Sequence, residues 1–131
     1  MLARSTGLVA IPQELRSEEA APILCAGIAT FNALNKSGAQ AGDTVAVLGI
    51  GSLGYMALKY AIRMMFKVVA IGRGKAIAAD TQTLGAHIYI DNREEDAAIL
   101  KRMGDAQAIV TTIDHAETVS PFWPASLLKA D

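Results

Sequence analysis

Short apolar runs alternate along this chain with longer segments in which apolar residues recur every three or four positions. The runs are rich in β-branched residues and predict buried strands at 44–48, 67–71, 87–90 and 106–112. The segments between them have the spacing of amphipathic helices. Strand and helix therefore alternate, which predicts an α/β doubly wound parallel sheet of about four strands with right-handed crossovers.

The predicted helices begin and end at recognisable signals. The first starts at Ser17, where a hydroxyl residue is followed by two acids, and Pro22 either interrupts its first turn or starts a second helix over 23–34. A cation and a glycine close that helix at 36–38. Further helices are predicted between the strands, over 53–64, 75–84 and 93–103.

Composition and charge argue against several classes of protein. Twelve basic and thirteen acidic side chains give a net charge of -1, which disfavours a nucleic-acid-binding or polybasic membrane-binding surface. The single cysteine, Cys25, provides neither a disulfide framework nor a cysteine-rich zinc site. The longest uncharged runs, 20–35 and 44–58, fall short of the ~20 apolar residues of a membrane span, and the N-terminus is a poor signal peptide. We therefore expect a cytoplasmic protein without nucleic-acid or membrane partners.

The stretch VLGIGSLGY, at 47–55, places three glycines at the spacing G-x-G-x-x-G directly after the first predicted strand. Gly49 would allow a tight turn, Gly51 would let a pyrophosphate approach the backbone, and Gly54 would let the following helix pack against the strand. The free N–H groups of that helix would bind the phosphates. The spacing alone is weak evidence, and a tight turn without a ligand is the alternative. The predicted phosphate-binding residues are Gly49, Ile50, Gly51, Ser52, Leu53 and Gly54.

The end of the second predicted strand should distinguish NAD from NADP. An NAD site usually places an acid there to bind the ribose hydroxyls, but this chain has Gly72, followed by Arg73. A glycine would leave room for a 2′-phosphate, and the planar guanidinium of Arg73 could pair with it. The sequence therefore favours NADP(H) over NAD(H), with Gly72, Arg73 and Lys75 in the site. The alternative is that the two cations are ordinary solvated charges of a loop.

Four segments together resemble the zinc-type medium-chain dehydrogenases, or alcohol dehydrogenases, in their cofactor-binding domain. They are IPQELRSEEAAPILCAGIATFNAL, GAQAGDTVAVLGIGSLGYMALKYA, KVVAIGRG and LGAHIYID, within residues 11–112. The first is the most specific, because a generic dinucleotide-binding fold would not supply it. The resemblance implies a Rossmann-type NAD(P)-binding domain over 17–131 that ends before its last two strands. It also implies that residues 1–16 are a lead-in that remains from a catalytic domain.

The resemblance also assigns roles to single residues. Cys25 corresponds to the cysteine ligand of the family's catalytic zinc, whereas its structural alternative is a small buried hydrophobe. The family's other zinc ligands lie upstream of the matched region, so we expect zinc in the full family but not bound by this chain. Thr111 and Thr112 are expected beside the adenine. The two histidines, His87 and His115, are expected to be structural or solvent-facing.

Two positions depart from the family pattern. Ala29 stands where the family usually has a threonine near the nicotinamide, and Met65 stands where it usually has a glycine. If the backbone at Met65 is left-handed, a non-glycine residue there costs about 1 kcal/mol.

The resulting hypothesis is an NADP(H)-binding domain of an alcohol dehydrogenase-like oxidoreductase, which transfers hydride between an alcohol or aldehyde and the nicotinamide. The chain alone is expected to be catalytically incomplete, with no catalytic residue of its own. The alternative is a non-catalytic nucleotide-binding or regulatory module. A methyltransferase is disfavoured because those enzymes tend to keep an acid after the second strand. The unpaired edge of the fourth strand predicts self-association.

Overall fold

The computed structural model describes residues 2–93, 99 and 106–122 of the chain. Four strands form one parallel sheet in the order β3-β2-β1-β4. They are β1 (Thr44–Leu48), β2 (Lys67–Gly72), β3 (Ile88–Asp91) and β4 (Ala108–Thr111). The predicted α/β doubly wound fold with a four-stranded parallel sheet is confirmed.

Helices precede and connect these strands. Within the described residues the α-helices are α1 (Ser17–Pro22), α2 (Ile28–Asn35), α3 (Ser52–Arg63), α4 (Ala76–Thr83) and α5 (Ala116–Val119). A π-helical segment, Ile23–Gly27, joins α1 to α2, so Pro22 changes the hydrogen-bond pattern without ending the helical run. The helix predicted over 93–103 falls mostly on residues 94–98 and 100–103, which lie outside the described residues.

The third strand begins one residue later than predicted and ends one residue later. His87 precedes it, and its Nδ1 accepts a hydrogen bond of 3.0 Å from the Val68 N–H. This contact fixes His87 as a structural residue at the start of β3. The added last residue, Asp91, pairs in register with Gly72 of β2.

Both faces of the sheet carry a packed apolar layer, which explains why the strands are nearly continuous apolar runs. One layer packs strand residues against α2 and α3 and contains Leu34, Val45, Val47, Ala57, Leu58, Ala61, Val68 and Ala70. The opposite layer contains Ala46, Leu48, Val69, Ile71, Ile90 and Phe122. Residues that alternate along each strand thus face opposite layers, as in a sheet covered on both sides.

Met65 follows α3 in a left-handed backbone conformation, with a φ of 64°. It is the one non-glycine residue with a positive φ in the described part of the chain. Its side chain is 72% exposed, so burial offsets little of the strain. Because the backbone at Met65 is left-handed, methionine there destabilises the fold by about 1 kcal/mol relative to glycine.

Candidate functional site

The glycine-rich segment forms the tight turn between β1 and α3. Gly49 has a φ of +93°, and a Cβ added there would lie 2.5 Å from Thr112 Oγ1 and 2.9 Å from Ile113 Cγ2. The Thr112 hydroxyl donates a hydrogen bond of 2.9 Å to the Gly49 carbonyl oxygen. This position thus requires glycine both for its backbone angle and for the close approach of the segment after β4.

The other two glycines of the motif differ in what surrounds them. A Cβ added at Gly54, in the first turn of α3, would collide with the Gly49 carbonyl oxygen. A Cβ added at Gly51 would meet no atom within 4 Å. Gly54 is therefore required by packing, whereas the backbone at Gly51 faces open space beside the start of α3.

A pocket of about 390 Å³ lies at the carboxyl ends of the strands, above this turn. In an open parallel sheet this is the edge at which ligands bind. Its lining combines the glycine turn with residues that follow β2, β3 and β4: Leu48, Gly49, Ile50, Gly51, Ile71, Gly72, Arg73, Ile77, Asn92, Thr112, Ile113, His115 and Thr118.

The structure brings together most of the predicted cofactor-binding residues. Those that line the pocket are Gly49, Ile50, Gly51, Gly72, Arg73 and Thr112. Ser52, Leu53 and Gly54 form the adjacent first turn of α3. Lys75, which precedes α4, and Thr111, the exposed last residue of β4, lie outside the pocket lining.

The loop between β2 and α4 is held by two side chains of β3. The Tyr89 hydroxyl donates a hydrogen bond of 2.7 Å to the Gly74 carbonyl oxygen. Asp91 Oδ1 accepts hydrogen bonds from the N–H groups of Gly74, at 2.9 Å, and Arg93, at 3.0 Å. Gly74 itself has a φ of +89°. The loop that carries Arg73 is therefore fixed from the neighbouring strand.

These contacts shift the pKa values of the Asp91 and Tyr89 side chains. The backbone hydrogen bonds from Gly74 and then from Arg93 lower the pKa of Asp91 below its ordinary value, because they stabilise the carboxylate. Burial and then the Asp91 charge raise the pKa of Tyr89. At neutral pH Asp91 is thus an anion and Tyr89 a hydrogen-bond donor.

Gly72 is closely surrounded by side chains of the neighbouring elements. A Cβ added there would lie 2.9 Å from Tyr89 Oη and 3.3 Å from Ile50 Cγ1. A side chain at this position would therefore meet Tyr89 and Ile50, and Gly72 lines the pocket. Arg73 is exposed in the same pocket and has no ion-pair partner among the residues that the structure describes. Recognition of a phosphate here would depend on Arg73.

Sequence reasoning missed two polar residues at the end of β3. Asp91 is buried and lies in register with Gly72, so an acid is present on the neighbouring strand although β2 ends without one. Asn92 lines the pocket, and its Oδ1 is buried without a hydrogen-bond partner. They are the first and second residues after the predicted strand 87–90, at the ligand-binding edge, and this position is the signal that could have identified them.

The curated proteins that this chain resembles include several alcohol dehydrogenases. No family model matches the chain. It is 40% identical over 122 residues to the alcohol dehydrogenase patD of Aspergillus clavatus, a match that covers 92% of this chain and 31% of the relative. It is 44% identical over 121 residues to the alcohol dehydrogenase notN of an Aspergillus species, covering 92% of this chain and 36% of that protein.

A solved structure of CAD from Helicobacter pylori, complexed with NADP(H), superposes with a TM-score of 0.67. The sequences are 32% identical, and the match covers 80% of this chain and 28% of the other. The chain is a relative of the alcohol dehydrogenases. The predicted resemblance to the alcohol dehydrogenases is confirmed by these matches, which extend over part of each relative. This alcohol dehydrogenase relative spans about a third of the length of the curated proteins that it matches.

The predicted zinc ligand, Cys25, is not among the residues that line the pocket. Cys25 is exposed in the π-helical segment, so the alternative of a buried hydrophobe is wrong. Among the described residues, no group of three or more His, Cys, Asp or Glu is arranged to hold a metal ion. His115 is 80% exposed, lies 3.7 Å from the Asp114 carboxylate and lines the pocket.

None of the helices in the described part of the chain has the length and apolar character needed to cross a bilayer.

Proposed function

We propose that this chain is the NADP(H)-binding domain of an alcohol dehydrogenase-like oxidoreductase. The observation that carries the proposal is the glycine turn at the pocket, where Gly51 leaves the backbone open beside the start of α3. The whole protein would transfer hydride between a small alcohol or aldehyde and the nicotinamide, and it would act in the cytoplasm. This chain would supply cofactor binding.

The pyrophosphate would bind at the turn between β1 and α3. The first N–H groups of α3 have no partner within the helix, and the helix dipole adds partial positive charge at the same place. The open space at Gly51 lets phosphate oxygens reach these donors. Gly49 and Gly54 support this arrangement by shaping the turn that brings α3 against β1.

The adenosine 2′-phosphate would pair with Arg73. Its guanidinium has two parallel donors that match phosphate oxygens, and Tyr89 and Asp91 hold the loop that presents it. The structural neighbour from Helicobacter pylori, 32% identical, is described as a complex with NADP(H), which supports the same cofactor here. The Asp91 carboxylate is engaged with two backbone N–H groups, and it lies outside the pocket lining. It therefore does not replace the ribose-binding acid of an NAD site.

Hydride transfer would require groups beyond those of the pocket. NADP(H) supplies the hydride chemistry when bound, and a zinc ion in the full family polarises the substrate oxygen. In this chain Cys25 would be the one contribution to that metal site. We therefore propose that the chain by itself binds cofactor without turnover and does not hold zinc.

Calorimetric titration of the 131-residue chain with NADPH and with NADH tests the proposal. NADPH is expected to bind more tightly, and Arg73→Ala should weaken NADPH binding about tenfold while leaving NADH binding nearly unchanged. Lys59→Ala, which removes an exposed cation of α3 outside the pocket, is the matched control. Tenfold tighter binding of NADH would overturn the cofactor assignment, and binding of neither would overturn the function.

A non-catalytic nucleotide-binding or regulatory module would contain the same pocket. The sequences that flank this chain in its gene distinguish the two functions. Cysteine and histidine zinc ligands upstream, together with alcohol oxidation by the longer product, would support the enzyme. Cofactor binding without turnover in the longer product would support the module.

A further inference from the structure

His115 lines the nucleotide pocket from the segment that follows β4. Its side chain is 80% exposed, and its Nε2 lies 3.7 Å from Asp114 Oδ1. Within the described residues it makes no capping hydrogen bond to α5, although it directly precedes that helix. The imidazole therefore has an exposed neighbour as its polar contact and stays accessible to a ligand in the pocket.

The path of the chain after β4 brings His115 beside the glycine turn. β4 pairs in parallel with β1, and the two segments stay together beyond the strands, because the Thr112 hydroxyl donates a hydrogen bond of 2.9 Å to the Gly49 carbonyl oxygen. A Cβ added at Gly49 would also lie 2.9 Å from Ile113 Cγ2. His115 follows two residues after Ile113 and lines the same pocket as Gly51. The imidazole thus lies on the β4 side of the turn at which the pyrophosphate would bind.

Two side chains that can carry positive charge flank the glycine turn among the described residues that line the pocket. Arg73 follows β2 and His115 follows β4, and β1, which leads into the turn, lies between these strands. The adenosine 2′-phosphate would pair with Arg73 on one side. The pyrophosphate is then the anionic part of the nucleotide that lies nearest to His115.

The other charged groups around His115 lie on three elements of the described chain. Asp114 is 95% exposed, so water screens most of its attraction for an imidazolium. Glu117 is exposed in the first turn of α5 and is not among the residues that line the pocket. Arg73 lies beyond β1, at the end of a strand two positions away in the sheet. A bound pyrophosphate would therefore be the dominant charge beside the imidazole.

We infer that His115 binds the pyrophosphate as an imidazolium, so that the affinity for the nucleotide rises as the pH falls. This inference rests on the proposed binding of NADP(H) and adds a proton-dependent contact to that site. Histidine is the side chain that ordinarily gains its charge between about pH 8 and pH 5. The charged form donates from both ring nitrogens and attracts a phosphate, whereas the neutral form has one donor and no charge. Proton uptake and nucleotide binding then promote each other.

The experiment measures the dissociation constant of ADP-ribose at about pH 5.5 and about pH 8, by calorimetry on the 131-residue chain. ADP-ribose contains the pyrophosphate but lacks the 2′-phosphate, a group whose own charge changes at about pH 6. The unsubstituted chain should bind it about threefold to tenfold more tightly at the lower pH. His115→Gln should bind it with nearly the same affinity at both. His115→Arg, which keeps a cation at both, should bind tightly without pH dependence.

Asp114→Asn is the matched control, because it removes the neighbouring charge and keeps the imidazole, so the pH dependence should remain. His115 is 80% exposed, so its substitutions should leave the fold intact, and circular dichroism at each pH checks this.

The outcomes separate this inference from the proposed function. Equal affinity of the unsubstituted chain for ADP-ribose at the two pH values would overturn the role of His115 and leave cofactor binding intact. An unchanged pH dependence in His115→Gln would also overturn the role. Absence of ADP-ribose binding at both pH values would overturn the proposed function itself, and the role of His115 with it.

Discussion

The Tyr89 hydroxyl donates a 2.7 Å hydrogen bond to the Gly74 carbonyl oxygen and so joins β3 to the loop that carries Arg73. A Cβ at Gly72 would lie 2.9 Å from the same hydroxyl oxygen, so Tyr89 also packs against the backbone of β2. The position of the Arg73 side chain in the pocket therefore depends on a tyrosine from the neighbouring strand.

Tyr89→Phe should weaken NADPH binding by about threefold to tenfold, because loss of one hydrogen bond costs about 0.5–1.5 kcal/mol and loosens the loop. Calorimetric titration measures the change. Tyr55→Phe is the matched control, since the Tyr55 hydroxyl donates to Asp80 at 3.4 Å and lies outside the pocket lining. Equal effects of the two substitutions would contradict a specific role for the Tyr89 contact.

Alanine at Gly54 should lower the stability of the fold, whereas alanine at Gly51 should mainly lower the affinity for NADPH. Gly54→Ala should destabilise the fold by about 3 kcal/mol, because its Cβ would collide with the Gly49 carbonyl oxygen. Gly51→Ala should cost less than about 1 kcal/mol but weaken NADPH binding, because the new methyl group would occupy open space at the helix start. Urea unfolding and calorimetry measure the two effects. Full NADPH affinity in Gly51→Ala would argue against a phosphate at that position.

Asp91 should make stability depend on pH in the acid range. Its folded-state pKa lies below the ordinary value of 3.8, so its contribution is fully present above that value and is lost as the pH falls through the folded-state pKa. Asp91→Asn should therefore be less stable than the unsubstituted chain at pH 7, and the difference should shrink as the pH falls below 3.8.

Urea unfolding of both proteins across this range measures the effect. Asp114→Asn is the control, because that carboxylate is 95% exposed and should contribute little. A difference between Asp91→Asn and the unsubstituted chain that stays constant with pH would contradict the lowered pKa.

Met65→Gly should stabilise the fold by about 0.5–1 kcal/mol, because glycine tolerates the left-handed backbone there. Thermal unfolding measures the gain as a higher midpoint. Lys67→Gly, at an exposed strand position with ordinary backbone angles, should instead destabilise. A loss of stability in Met65→Gly would mean that the flexibility of glycine in the unfolded chain outweighs the strain.

Self-association should occur through the edge of β4. Within the described residues this strand pairs on one side only, with β1, so its other edge leaves backbone groups available for a second strand. Light scattering should show a mass that rises with protein concentration. A single monomeric mass at high concentration would contradict the prediction.

Much of the architecture follows from short-range pattern. The β-branched runs at β1 and β2 are buried on both faces, and such runs identify strands without knowledge of their partners. The spacing of Gly49, Gly51 and Gly54 after a strand identified the turn, because Gly49 has a positive φ and Gly54 packs against the Gly49 carbonyl oxygen, both within a few residues. The family pattern singled out Met65, but only the structure shows that its backbone is left-handed.

The tertiary structure decided which side chains meet at the pocket. Gly72 and Tyr89 are 17 residues apart and come into contact only because β3 pairs with β2 in one register. The same pairing brings the Asp91 carboxylate to the Gly74 N–H. Local periodicity specifies strands and turns, whereas the register between strands depends on packing across the whole sheet.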